Sequence, residues 1–225
     1  TQAANKNFET LGTNYTTALT TFSATQAGIT MTTATADQDQ AILLPHLDTN
    51  QTAWSGTKWG TENSVEWECS ISLPALDNQK VWAGLKLTND QLVATDDNQM
   101  FFKYQSDATN SEAFTTFANW HFVHSIGGTD FISRLPIAVE ADTQYHFKIE
   151  VDSDRKAAIF VNGIQYNVTT TSGSTGGTAV TTGTTKTGAL TNDVDLIPYI
   201  GIENGAAAAE VLNVHYQSIS RNVFE

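Results

Sequence analysis

Between Tyr145 and Tyr166 the chain spells out three consecutive strands, and this stretch limits the fold more than any other. Tyr145, Phe147, Ile149 and Val151 alternate with His146, Lys148, Glu150 and Asp152, the period of two expected of a strand with one buried face. Ser153-Asp154-Arg155-Lys156 turns the chain into the apolar run Ala157 to Val161, and Asn162-Gly163 leads on to Ile164, Tyr166 and Val168. Asn-Gly between two apolar runs marks a two-residue hairpin, because a type I′ turn needs positive φ at both central positions. Such a meander points to an antiparallel, all-β fold.

The same period recurs on both sides. Val65, Trp67, Cys69 and Ile71 alternate with Glu66, Glu68, Ser70 and Ser72, which makes Cys69 a core residue. Val81 to Leu87 and Met100 to Tyr104 read as neighbouring strands, with Asn89-Asp90 and Thr95-Asp96-Asp97-Asn98 punctuating the connection. Leu196 to Ile202 and Val211 to Ile219 supply two more. In the last of these, Leu212, Val214 and Tyr216 alternate with Asn213, His215 and Gln217, so Tyr216 is expected on the same face as Val214. At 225 residues the chain fits one sandwich domain.

Two segments break the pattern. Phe8, Leu11, Tyr15, Leu19 and Phe22 have helical spacing, but the pairs Thr16-Thr17 and Thr20-Thr21 oppose a helix. Residues 1–40 are therefore read as an extended N-terminal arm docking on a neighbour, and 41–225 as the sandwich. Residues 169–188 are rich in Thr, Gly and Ser, too polar to pack, and are expected to form an exposed low-complexity loop.

Charge narrows the partners. The formal net charge is −13, and the longest basic feature is the pair Arg155-Lys156. A nucleic-acid surface needs a basic patch, so that class is excluded. Cys69 is the single cysteine, which rules out an intrachain disulfide and a multi-cysteine zinc site. No apolar run of membrane-spanning length and no basic-then-apolar leader is present, so no membrane insertion is expected.

The block Tyr145 to Asp152, Ala158-Ile159-Phe160-Val161-Asn162-Gly163 and Ile197-Pro198-Tyr199-Ile200-Gly201 resembles the concanavalin A-like lectin/glucanase and laminin-G group. That resemblance implies a jelly-roll sandwich of two antiparallel sheets over about residues 40–222. Asp39 to His46, Trp59 to Asn63, Trp67-Glu68-Cys69, Trp82 to Thr88, Thr95 to Gln99 and Leu190 to Gly201 resemble structural proteins of tailed bacteriophages, especially marine ones. This second resemblance implies a non-enzymatic virion component, a capsid decoration protein or fibre. Its expected place is the outer surface of the particle. Its partners would be the major capsid protein or other virion proteins, further copies of itself, and host surface glycans.

The chemistry-bearing residues leave three classes to weigh. Glu66 and Glu68 share one strand face about 7 Å apart, a conceivable glycosidase pair. Glucanases of the resembling group carry Glu-x-Asp-x-x-Glu, however, and Glu66-Trp67-Glu68-Cys69-Ser70-Ile71 lacks the Asp and the last Glu. A solvated outer face is the plainer reading, and no catalytic residue is assigned. Asp37/Asp39, Asp96-Asp97-Asn98, Asp152/Asp154 and Asp193/Asp195 could offer oxygens to calcium, but none has EF-hand spacing and turns use the same residues. His46, His121, His124, His146 and His215 show no zinc-ligand spacing, so neither metal nor cofactor is assigned. For a carbohydrate platform the loop tryptophans Trp54, Trp59 and Trp120 are the candidates, because an exposed ring stacks on a sugar face.

Overall fold

The alternating segments pair into two sheets in a computed structural model that describes residues 8–23, 28–45, 59–106, 114 and 117–222. In chain order the strands are β1 (Glu9–Leu11), β2 (Thr20–Ser23), β3 (Gly28–Thr32), β4 (Gln40–Leu44) and β5 (Glu66–Ser72). Next come β6 (Gln79–Lys86), β7 (Gln99–Gln105), β8 (Asn119–Ile126), β9 (Thr129–Ala138) and β10 (Gln144–Val151). The last five are β11 (Ala157–Val161), β12 (Ile164–Tyr166), β13 (Gly173–Ala179), β14 (Ile197–Asn204) and β15 (Val211–Ser220). One sheet has eight strands in the order β1-β4-β14-β6-β7-β8-β9-β13, the other seven in the order β12-β11-β10-β5-β15-β3-β2. Among the described residues no helix is long and apolar enough to cross a membrane.

Alternation settles which side chains meet between the sheets. Trp67, Cys69 and Ile71 of β5 and Phe147 and Ile149 of β10 face Phe102 of β7 and Trp120 and Phe122 of β8, all fully buried. Phe102 and Phe147 stack across the gap with ring centroids 4.4 Å apart, and Trp120 meets Phe147 edge-on at 4.7 Å. Each such ring contributes about 1.5–3 kcal/mol by leaving water. The expected hairpin closes β11 onto β12, with Asn162 at φ 50° and Gly163 at φ 79°. Asn162 also accepts a hydrogen bond from the His146 backbone N–H through its side-chain oxygen, at 2.8 Å.

The eight-stranded sheet is covered on its far side as well. Trp82, Phe101, Val123, Ile132 and Tyr199 form a second apolar cluster beneath Val93 and Phe114. Trp82 lies flat over Gly201, where a Cβ would fall 2.2 Å from the indole ring. Buried ions flank this cluster: Lys80 pairs with Glu203 at 2.7 Å and Lys86 with Asp96 at 3.2 Å. Lys103 donates to the Gln91 backbone and side-chain oxygens at 2.8 and 2.7 Å. A buried ammonium needs such partners, since an uncompensated charge inside costs several kcal/mol. Residues 87–96 are thereby tied down over the sheet.

Both segments set apart in the sequence differ from expectation. Residues 9–11 pair with β4, and residues 20–23 and 28–32 extend the seven-stranded sheet beyond β15. These strands belong to the sandwich and not to an extended arm, because Leu11, Ile29 and Met31 find apolar neighbours in the two clusters. The segment 169–188 is also structured. It leaves β12 at one edge, runs as β13 parallel to β9 of the other sheet, and returns. Its backbone amides bond along both edges: Val180 to the Arg134 carbonyl at 3.0 Å, Gly183 to Gln165 at 3.1 Å and Thr187 to Ala157 at 3.0 Å. Polar composition did not forbid this, because edge pairing satisfies the backbone without needing an apolar side chain.

Candidate functional site

The outer face of the seven-stranded sheet carries a group of interacting, half-exposed side chains, and strand register builds it. His146 of β10 stands beside Ser70 of β5, and Ser70 beside Tyr216 of β15. Lys148, Glu68 and Ser218 form the next row, and Glu150, Glu66 and Ser220 the one after. These are the polar members of the alternating strands, turned outward because their neighbours fill the core.

Tyr216 reaches this face through an irregularity. The register of β15 against β5 shifts between Val214 and Tyr216, with His215 as the extra residue. One inserted residue reverses the parity of a strand. Tyr216, expected beside Val214 on the core side, therefore points outward and is 40% exposed, while Gln217 lies opposite Cys69. Gly28 of β3 permits the bulge: a Cβ there would sit 2.2 Å from the Val214 carbonyl oxygen and 2.9 Å from the His215 Cα.

Once outward, the Tyr216 ring stacks on His146, with centroids 5.6 Å apart and planes at 28°. Its hydroxyl hydrogen-bonds His146 Nε2, and that nitrogen lies 3.2 Å from Glu68 Oε2. Partial loss of water around the hydroxyl, and next the negative field of Glu68, push the phenol up to about 12. Gln144 donates to Ser70 Oγ at 2.7 Å at the margin of the pair. On the other side Lys148 lies 2.6 Å from Glu150 and 3.1 Å from Glu66, with its ammonium 6.0 Å from the centre of the Phe160 ring. The hydrogen bond to Glu150 raises the Lys148 pKa above the ordinary lysine value. A shallow depression of about 260 Å³ lined by Ser64, Glu66, Glu150, Asp152 and Lys186 ends the face.

The predicted site residues are elsewhere. Trp120 is fully buried in β8, where it packs on Tyr104, Tyr145 and Phe147, and Trp59 is 6% exposed in the same core. Neither ring is open to a sugar; both fill the space between the sheets. Trp54 lies outside the described residues, as does His46. The aspartates serve turns. Asp96 accepts from the Leu87 and Thr88 amides, Asp39 from the Ala36 amide, and Asp152 from those of Asp154 and Lys156. Among the described residues no three His, Cys, Asp or Glu side chains are grouped to hold a metal ion. Cys69 is buried beneath Glu68, and burial pushes its thiol well up, the condition of an inert thiol. Glu66 and Glu68 do share a face, but Glu66 is paired with Lys148 at 3.1 Å and Glu68 lies 3.2 Å from His146 Nε2. Glycosidase carboxylates flank an open gap that holds the scissile bond. Here Lys148 occupies the space between Glu66 and Glu150.

No protein-family model matches the chain, and no curated protein matches it in sequence. Solved structures do match in shape. The Emp47p carbohydrate recognition domain superposes with a TM-score of 0.57 at 9% identity, over 99% of this chain and 92% of that one. The β-glucanase of Bacillus licheniformis gives 0.55 at 7%, over 98% and 95%. An alginate lyase from Klebsiella pneumoniae gives 0.50 at 8%, over 91% and 85%. Two stacked sheets with these neighbours make the chain an all-β, concanavalin A-like jelly-roll sandwich.

Proposed function

We propose that this protein binds glycans without cleaving them, using the outer face of the seven-stranded sheet around Tyr216. The observation that carries this reading is the exposed Tyr216–His146 stack, bordered by Glu68 and Gln144 on a broad, shallow surface. An aromatic face with hydrogen-bonding groups at its rim is what a pyranose ring requires. The carbohydrate recognition domains among the similar folds support it. Glu66, Glu68 and Glu150 outnumber Lys148 here, so the face favours neutral or amino sugars over polyuronates. Lys148 between Glu66 and Glu150 supports binding over hydrolysis. The test is calorimetry and an oligosaccharide array with neutral, amino and uronate sugars. Tyr216→Ala should weaken binding about tenfold, or about 1.4 kcal/mol. A parent protein that binds no sugar, or that shortens one, refutes the reading.

The protein also fits display on the outside of a tailed-phage particle, with host glycans as the ligand. The segments from Asp39 to His46 and from Leu190 to Gly201, together with the −13 charge, favour that setting. Repetition over a particle would turn weak single-site binding into firm adhesion. Immunogold labelling of purified particles tests this, and particles without the chain reject it.

A further inference from the structure

Asn-Gly occurs twice in the chain, at 162–163 and 204–205, and the fold treats the two pairs oppositely. In an open turn such a pair is reactive, because a glycine nitrogen with no Cβ beside it can approach the asparagine amide carbon. Asn204 is fully buried, and its Nδ2 donates to the Ala34 and Ala208 carbonyls at 3.1 and 2.7 Å. The Gly205 N–H is held by the Asn78 carbonyl, and Asn204 Oδ1 has no donor among the described residues. Nucleophile and leaving group are both tied down there.

Asn162 and Gly163 are both exposed in the turn between β11 and β12. A Cβ on Gly163 would meet nothing within 4 Å, and among the described residues neither the Gly163 N–H nor Asn162 Nδ2 is hydrogen-bonded. Asn162 Oδ1, by contrast, accepts from the His146 N–H at 2.8 Å, while the Asn162 N–H donates to the His146 carbonyl at 2.8 Å. Asn162 thus clasps both backbone groups of His146, the partner of Tyr216 in the exposed stack.

We propose that Asn162 is a spontaneous modification site that governs the glycan face. The Gly163 nitrogen attacks Asn162 Cγ and gives up its proton, the Cγ–Nδ2 bond breaks, and ammonia leaves as a succinimide ring closes. The His146 N–H, already on Oδ1, stabilises the oxyanion of that step. Water then adds to either ring carbonyl and opens the ring to aspartate or isoaspartate, so no further reactant is needed. Both products place a new carboxylate beside His146, which already faces Glu68. Aspartate keeps an oxygen where Oδ1 stood, and the clasp survives. Isoaspartate reroutes the main chain through Cβ and Cγ, so the clasp is lost and His146 is released from Tyr216. The consequence for sugar binding rests on the glycan reading; the modification itself does not.

The test is to hold the full chain in mildly alkaline buffer and follow both asparagines by peptide mass spectrometry, with electron-transfer fragmentation to tell isoaspartate from aspartate. Amide loss should accumulate at Asn162 while Asn204 stays intact, and in urea, where burial is gone, both should react. The isoaspartate fraction, separated by ion exchange, should show a shifted His146 ring resonance. It should bind the neutral and amino sugars of the array about fivefold more weakly than fresh protein. Asn162→Gly keeps a residue suited to positive φ, so it should fold, resist ageing and show a displaced His146 resonance from the outset. An Asn162 amide as durable as that of Asn204 in the folded chain overturns the proposal. So does an isoaspartate fraction, or an Asn162→Gly protein, with the His146 resonance of the fresh parent. Where the parent binds sugar, an isoaspartate fraction that binds equally well overturns it too. Fresh protein that binds no sugar refutes the glycan reading alone, and the amide loss and the His146 resonance then decide the modification.

Discussion

Tyr216 and His146 touch although a whole strand separates them. They stand on β15 and β10 with β5 between, and they lean together over Ser70, a side chain too small to hold them apart. Neighbouring strands lie about 4.8 Å apart, so the pair spans about 10 Å of sheet. The contact exists only because His215 is bulged.

Gly28 is the support on which that bulge depends. Gly28→Ala drives a methyl group into the Val214 carbonyl, so β3 must move off β15. The expected cost is about 1–3 kcal/mol in urea unfolding, with loss of the Tyr216–His146 contact. Chemical shifts of the His146 ring read the second effect directly. An unchanged shift together with unchanged stability contradicts this account of the bulge.

Alkaline titration should single out Tyr216. Its folded pKa, about 12, lies above the ordinary 10, so the native state holds the phenolic proton after the unfolded chain has lost it. Stability is fully present below pH 10 and falls as pH rises from 10 towards 12. At 40% exposure solvent screening keeps the effect small. In an ultraviolet difference titration Tyr216→Phe should remove one late-ionising component, near pH 12, and leave the rest of the curve unchanged.

Acid should destabilise the protein through two buried histidines. Loss of hydration lowers His121 to about 4 and His124 to about 3, against 6.5 in the unfolded chain. Both are therefore neutral in the native state, and the unfolded state takes up protons first as pH falls below 6.5. Each removes about 1.4 kcal/mol per pH unit in that window. The His124 ring lies parallel to Phe131, 4.6 Å between centroids, and neither ring nitrogen bonds to a described residue. His124→Phe keeps the stack and should flatten the pH dependence of the urea midpoint between pH 6 and about 4. A slope equal to the parent's rejects the assignment.

Thr187 reports on the edge-lacing segment. Its hydroxyl accepts from the buried Ala157 amide at 2.8 Å, and its own amide donates to the Ala157 carbonyl. Thr187→Val leaves the first donor unsatisfied and should cost about 1–3 kcal/mol. A substitution in a free loop changes nothing, so thermal melting of this variant separates the two descriptions.

Much of this was legible in the chain. Tyr145 to Val151 and Val65 to Ile71 announced their buried faces, and Asn162-Gly163 its turn, because a strand with one wet side must repeat every two residues. The outward placement of His146, Lys148, Glu66 and Glu68 followed from the same rule. Trp59 and Trp120 misled for the opposite reason. Polar neighbours suggest a loop, but burial of a large ring depends on what lies above it, and the covering residues come from distant parts of the chain.

The sequence by itself placed the fold class and the strands from Val65 to Tyr104, from Tyr145 to Tyr166 and from Leu196 to Ile219, since local alternation and turn chemistry act between residues close in the chain. Tertiary structure alone decided that 9–11, 20–23 and 28–32 join the two sheets, that 169–188 laces their edges, and that Tyr216 faces out. Pairing across distant segments sets all three: a bulge is defined only against the partner strand, and no single segment records where its partner is one residue short.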